Sequence, residues 1–214
     1  MKNALIVAVA LSVAACGSAP NSSAATKQSA SPSHPDESKY QIAGVHRMMK
    51  SGDVKTTLEK AGYKLDTNNQ GLSWEARVHN ARADASGKHD YDNSDVVPEY
   101  QNWKKGGEQI MVWYLPAPGD SVVKTIAYKA PGGMADPDAM KKTLIQRYGP
   151  PSIVDNRRVA WCSKPSMGCK SDQNYLGLTG TRIDVGGPAP DDVQLHEMVA
   201  RAAREQGGAA QQSF

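Results

Sequence analysis

Residues Ala4 to Ala15 are apolar except for Ser12, and the run stops at Cys16. It comes after a short, positively charged start, Met1-Lys2-Asn3. A helix needs about 20 apolar residues to cross a bilayer, so this stretch is too short to span one. Its length is that of a secretory signal core, about 7–15 residues, and Val13-Ala14-Ala15 supplies the small residues on which such signals end. The expectation is a signal peptide over residues 1–15 and a fold built, outside the cytoplasm, from the residues after it. That compartment constrains the cysteines. The chain has three: Cys16, Cys162 and Cys169. The last two enclose Ser163-Lys164-Pro165-Ser166-Met167-Gly168, a turn composition. In an oxidising compartment they should bond and staple a hairpin tip. A redox pair is the weaker alternative, because such pairs are separated by two residues and these by six. Zinc ligation by two cysteines alone is weaker still, because structural zinc takes four ligands.

Cys16, directly after Val13-Ala14-Ala15 and before Gly17, resembles the lipobox of bacterial lipoproteins. The resemblance implies a diacylglycerol on the Cys16 thiol, cleavage before that residue, and a palmitate-type acyl chain on the new amino group. Several chains on one residue anchor a protein stably where one chain holds it only marginally. The membrane would then be one partner. Gly17 stands where an Asp would retain such a protein in the inner membrane, which implies the outer membrane, facing the periplasm. Residues 16–39, rich in Ser, Ala and Pro, read as a disordered tether, because they offer too little apolar surface to offset the entropy of ordering. Its root-mean-square reach would be about 25–30 Å.

The remainder, residues 40–206, suits one medium domain or two small ones. The formal net charge is +3 and falls to +2 without Lys2. A near-neutral chain with no basic stripe along the sequence gives no support to a nucleic-acid partner. Phe occurs once, at Phe214, so core aromatics must come from four Trp and eight Tyr. These carry polar handles and suit half-buried sheets.

Three helices are legible. Ser51–Gly62 has Ser51 as a candidate N-cap, Asp53 in the first turn, Val54, Leu58 and Ala61 on one face, Lys60 in the last turn, and Gly62 at the C′ position. Asp136-Pro137-Asp138 opens a second, with Met140, Leu144 and Tyr148 at helical spacing and Gly149-Pro150-Pro151 as its stop. Trp74 comes twelve residues after Gly62, and Trp161 the same twelve after Gly149. Leu72–Val78 and Val159–Trp161 alternate like strands. A hairpin joins Ile110–Leu115 to Val122–Tyr128 through Pro116-Ala117-Pro118-Gly119-Asp120, and Tyr175–Leu178 with Thr181–Val185 would form another. The pattern is α+β: short helices on an antiparallel meander, with candidate repeat units 40–130 and 131–190. Duplication and coincidence both stay open. Asp191–Arg204 reads as a C-terminal helix with acids first and arginines last, and residues 207–214 should fray.

Ile42-x-Gly44-Val45, with Met49-Lys50-Ser51-Gly52-Asp53-Val54 and Leu58 after it, is similar to the G-M-(S/T)-x-x-(E/Q)-V-x-x-x-L opening of small envelope lipoproteins. That group includes the small lipoprotein of the outer-membrane β-barrel assembly machine and the β-lactamase-inhibitor-like fold. Tyr148-Gly149-Pro150-Pro151-Ser152, with Trp161 beyond, resembles their L-G-x-P turn and aromatic strand. Lys50 and the lack of Pro at Gly62-Tyr63 depart from the pattern. The resemblance implies helices packed on an antiparallel sheet. The expected anchor and tether point to a non-enzymatic module that binds or assembles envelope proteins, with an inhibitor of a periplasmic enzyme as a variant.

The residues that could carry chemistry are sparse. The histidines are His34, His46, His79, His89 and His196. His196-Glu197 begins a zinc-protease helix motif, but Ala200 stands where the second His belongs. Asp90-Tyr91-Asp92-Asn93-Ser94-Asp95 has the carboxylate density of a calcium loop, yet Asp95 occupies the glycine position and Gln101 the position of the closing Glu. A periplasmic metal-dependent hydrolase using this loop and a histidine is the rival to a binding module. No Walker loop, nucleophile elbow or dinucleotide glycine pattern occurs, so no cofactor is expected. Gly132-Gly133 and Gly186-Gly187 read as turns, and Lys104-Lys105-Gly106-Gly107 as the approach to a hairpin.

Overall fold

A computed structural model describes residues 39–132, 135–170 and 172–211. The expected signal peptide, Cys16 and all of the tether but Lys39 lie outside these residues. The elements run β1 (Gln41–Ile42), β2 (Val45–His46), α1 (Ser51–Lys60), β3 (Lys64–Leu72), α2 (Trp74–Ala85), β4 (Val96–Lys105), β5 (Glu108–Ala117) and β6 (Asp120–Lys129). They continue with α3 (Pro137–Tyr148), β7 (Ile153–Val154), β8 (Val159–Trp161), β9 (Tyr175–Thr179), β10 (Arg182–Gly186) and α4 (Asp192–Gln211). The fold is α+β. Eight strands form one antiparallel sheet in the order β3-β4-β5-β6-β10-β9-β8-β7, and β1-β2 form a small separate ribbon. Each half of the chain supplies four of the eight strands, preceded by a helix, and the two last strands, β6 and β10, meet at the centre.

The local signals explain most boundaries. α1 ends in a Schellman pattern: Tyr63 N–H donates to Leu58 O at 2.9 Å and Gly62 has φ +86°, which a residue without a Cβ adopts at no cost. Its N-cap is Lys50, not Ser51; the Ser51 hydroxyl instead donates to Asp120 Oδ1 at 2.7 Å. α3 is capped as expected, with Asp136 Oδ1 accepting from Asp138 N–H at 2.9 Å and Pro137 in the first turn. Leu72–Val78 corrects the strand expectation. Leu72 closes β3, Ser73 caps a helix by accepting from Ala76 N–H at 3.0 Å, and Trp74 begins α2. The two tryptophans at matching distance from Gly62 and Gly149 therefore lie on a helix and a strand. α4 runs on to Gln211, past the expected fraying point.

One face of the sheet is the core. Trp103, Ile110, Val112, Ile126, Trp161 and Leu176 are fully buried there against Val54 and Leu58 of α1 and Leu144 of α3. Gln101 is buried among them. Its Oε1 accepts from the Trp103 indole N–H at 3.2 Å and the Tyr114 hydroxyl at 2.7 Å, and its Nε2 donates to Asn68 Oδ1 at 3.2 Å. Burial, then Asp120, pushes the Tyr114 phenol well above its ordinary pKa, so it stays a donor. Helices α2 and α4 add nothing to this core. They pack on each other through Val78, Val199 and Ala203.

Cys162 and Cys169 are joined by a disulfide, with Cα atoms 5.4 Å apart and both cysteines buried. The loop between them carries the short 3-10 turn Pro165–Met167.

The core and the staple can each be probed by unfolding. Gln101→Leu strands two buried donors at once and should cost about 2–4 kcal/mol in denaturant unfolding, of which Tyr114→Phe in the same background restores part. Cys162→Ala/Cys169→Ala should cost about 2–3 kcal/mol, the entropy of a short closed loop.

Candidate functional site

Side chains alternate across a strand, so the residues between the core positions line the second face of the sheet. The register sorts them into three rows running across the strands. The first row is Lys64, Lys104, Gln109, Lys129, Arg182 and Thr179, each directly opposite the next. The second is Thr67, Asn102, Met111, Ala127, Asp184, Gly177 and Ala160. The third is Asn69, Tyr100, Trp113 and Thr125, and beyond it Gly186 with Tyr175. Tyr100, Asn102, Met111, Trp113 and Thr125 are half-buried, and none of them belongs to a core cluster. The Tyr100 and Trp113 rings meet at 5.3 Å between centroids, tilted by 49°.

The disulfide loop stands on the same face. Cys162, Cys169 and Ala160 form their own buried cluster there, with Ile153 and Tyr175 against it. Arg158 is fixed beside it. Its guanidinium donates to Cys169 O at 2.7 Å and Gly168 O at 3.4 Å and lies 5.5 Å from the Tyr175 ring. Arg158, Cys169, Lys170, Tyr175, Thr179 and Asp184 line a shallow cavity of about 480 Å³. Burial and then Asp184 raise the Tyr175 pKa, while Arg158, Arg182 and Arg47 oppose the shift.

Gly186 and Gly187 are not a turn, as their spacing suggested. Gly186 lies in β10, where a Cβ would sit 2.6 Å from the Tyr175 hydroxyl and 2.7 Å from its ring. At Gly187 a Cβ would sit 2.4 Å from Arg47 Nη1. Both glycines make room for a side chain to lie flat across the backbone.

The residues that the sequence singled out for chemistry lie elsewhere. In the acidic loop, Asp92 Oδ1 accepts from the Ser94 N–H at 2.9 Å and the Ser94 hydroxyl at 2.8 Å, and these bonds hold its pKa below the usual carboxylate range. Asp95 accepts from the Ser73 hydroxyl and Asp84 from the Tyr91 hydroxyl. The loop is thus tied to α2, and Gln101 sits in the core rather than beside it. A His79 ring nitrogen lies 2.8 Å from Asp90 O, His46 and His196 are exposed, and His34 lies outside the described residues. Among the described residues no group of three or more His, Cys, Asp or Glu could hold a metal ion, and no helix is long and apolar enough to cross a membrane. The cleft between α2 and α4, about 670 Å³, is floored by alanines and edged by His79, Arg82, Lys88, Asp90 and Arg204. Asp90 is the one carboxylate among its described lining residues, and the Ser86 hydroxyl there donates to Ala83 O at 3.1 Å.

Reading along the chain missed the residues that β3 and β4 give to this face, because those two segments were not read as strands. The signal that could have found them is the Gly106-Gly107 turn. Extending the hairpin back from it pairs Lys104 with Gln109.

The packing at Gly186 can be measured. Gly186→Ala should cost about 1–3 kcal/mol by overpacking. In a Tyr175→Ala background the same change should be nearly neutral, because the clashing ring is gone.

The chain matches no protein-family model, no curated protein and no solved structure.

Proposed function

We propose that this chain is a bacterial envelope lipoprotein, held at the membrane by lipid on Cys16, that acts without catalysis by docking another envelope protein on the open face of its sheet. The observation that carries the reading is the Tyr100–Trp113 pair with Met111 beside it, half-buried on the second face and outside every core cluster. Tyr, Trp, Met and Arg are the residue types enriched at protein interfaces, and this face holds Tyr100, Tyr175, Trp113, Met111, Arg158 and Arg182. Aromatic side chains on a rigid sheet bind with little loss of conformational freedom, because the backbone is already ordered. The lipobox pattern at Cys16 and the resemblance to small envelope lipoproteins support the same reading. An inhibitor of a periplasmic enzyme is a variant of it in which the docked partner is that enzyme.

The anchor and the face are tested separately. Cys16→Ser should abolish detergent partitioning and the added lipid mass while leaving the melting temperature of the domain unchanged; a variant that stays membrane-bound would refute the anchor. A photo-crosslinking residue placed at Trp113 in living cells should trap one defined envelope protein, and the same residue at Lys142, on α3, should not. Equal trapping at both positions would remove the open face as the docking surface.

A further inference from the structure

We infer that the row of cations at one end of the open face is a docking strip for an extended acidic segment of the partner protein. The inference rests on the reading of that face as a protein-binding surface and specifies the partner's chemistry.

The register places the charges. Lys64 lies directly opposite Lys104, and Lys129 directly opposite Arg182, with Gln109 between the two pairs. Arg158, which precedes Val159 opposite Leu178, continues the row past Thr179. Like charges directly opposite each other destabilise a sheet, and this row has two such pairs. The sheet neutralises only part of it. Lys104 pairs with Asp66 at 2.9 Å and Arg182 with Asp184 at 2.8 Å. Lys64 and Lys129 are exposed and have no carboxylate partner among the described residues. A local arrangement that opposes folding, with no gain inside the fold, points to use by a ligand.

The spacing selects the shape of that ligand. Strands lie about 4.8 Å apart, so the four steps from Lys64 to Arg182 cover about 19 Å. An extended chain rises about 3.3 Å per residue, so about six residues span the row, with alternate side chains facing it. A protein is favoured over a bilayer for two reasons. The disulfide loop stands on the same face, at the end of the sheet where Arg158 lies, so a flat surface would meet the loop before the lysines. The Tyr100–Trp113 pair is two rows away and offers apolar contact to residues flanking an acidic run. Arg158 is already held by two carbonyls, so it need not be ordered on binding.

The test uses the full chain in nonionic micelles and fluorescent hexaglutamate as the probe, followed by anisotropy at low salt. Hexaglutamate should bind, more weakly as salt shortens the screening length, and a Ser-Gly hexapeptide should not. Lys64→Gln/Lys129→Gln should weaken binding at least tenfold without lowering the melting temperature. Lys55→Gln/Lys142→Gln removes the same charge from the helical side and should change binding less than twofold. Equal losses in the two variants would overturn the proposal, as would a fall of more than about 5 °C in the melting temperature of the first. Displacement of the peptide by equimolar inorganic phosphate would reduce the row to a small-anion site. Displacement by phosphatidylglycerol doped into the micelles, lost in the first variant, would assign it to a membrane surface. Both results overturn the proposal. Failure here alongside specific crosslinking at Trp113 would leave the docking reading standing and remove only the acidic partner.

Discussion

The pairing of β6 with β10 is the contact on which the rest of the structure depends. It joins the last strand of each half in register, Ile126 against Val185 and Tyr128 against Ile183, and so makes one sheet and one core from two meanders. β10 reaches only as far as Ile126. Beyond it the edge of β6 is completed by the chain before α1: Met48 N–H donates to Val123 O and Val123 N–H to Met49 O, both at 2.9 Å. Arg47 reinforces the junction by donating to Lys124 O at 3.0 Å and to Asn174 and Pro188 beyond it. A strand edge left open at the centre of the sheet would carry unpaired backbone groups. Here two segments distant in sequence, β10 and the chain before α1, satisfy it.

That junction sets the helices that flank the two meanders on one face. α1 and α3 each adjoin a meander and lie on the same side, where Val54, Leu58 and Leu144 close the core. On the other side the disulfide loop packs on Ala160 and backs Arg158 and Tyr175. The disulfide thus has a second consequence besides its chain entropy. It fixes the carbonyls of Gly168 and Cys169 that hold the Arg158 guanidinium above Gly177.

Where a segment advertised its structure through local physics, the sequence was enough. The caps at Asp136 and Gly62, the Gly119 hairpin and the Cys162–Cys169 staple are each set by residues within a few positions of one another. The failures share a cause. β3, Lys64–Leu72, is polar and exposed along most of its length, because an edge strand buries little, so no alternation marks it. Leu72–Val78 alternates well enough for a strand, but the Ser73 cap and the helical spacing of Trp74, Val78 and Ala81 outweigh a few residues of period two. Gly186 resembles a turn because its reason for being glycine is a ring supplied by Tyr175, eleven residues away in sequence and one strand away in space.

The open face was illegible for a stronger version of the same reason. Lys64, Lys104, Lys129, Arg158 and Arg182 come from five separate segments, and the chain shows no basic stripe in any of them. They become a row only when antiparallel register sets each beside the next. Register is fixed by the core side, because slipping one residue would turn Trp103, Ile110 and Ile126 out to solvent. The apolar alternation that builds the core therefore also places the charges on the far side, although those charges repel one another there. Two of the four lysine and arginine positions in the directly opposed pairs have a carboxylate at hand. The other two rely on solvent for as long as no acidic group is brought to them. The fold holds this arrangement through the burial of large residues such as Trp103 and Ile110, each worth more than a cross-strand charge repulsion of a few tenths of a kcal/mol.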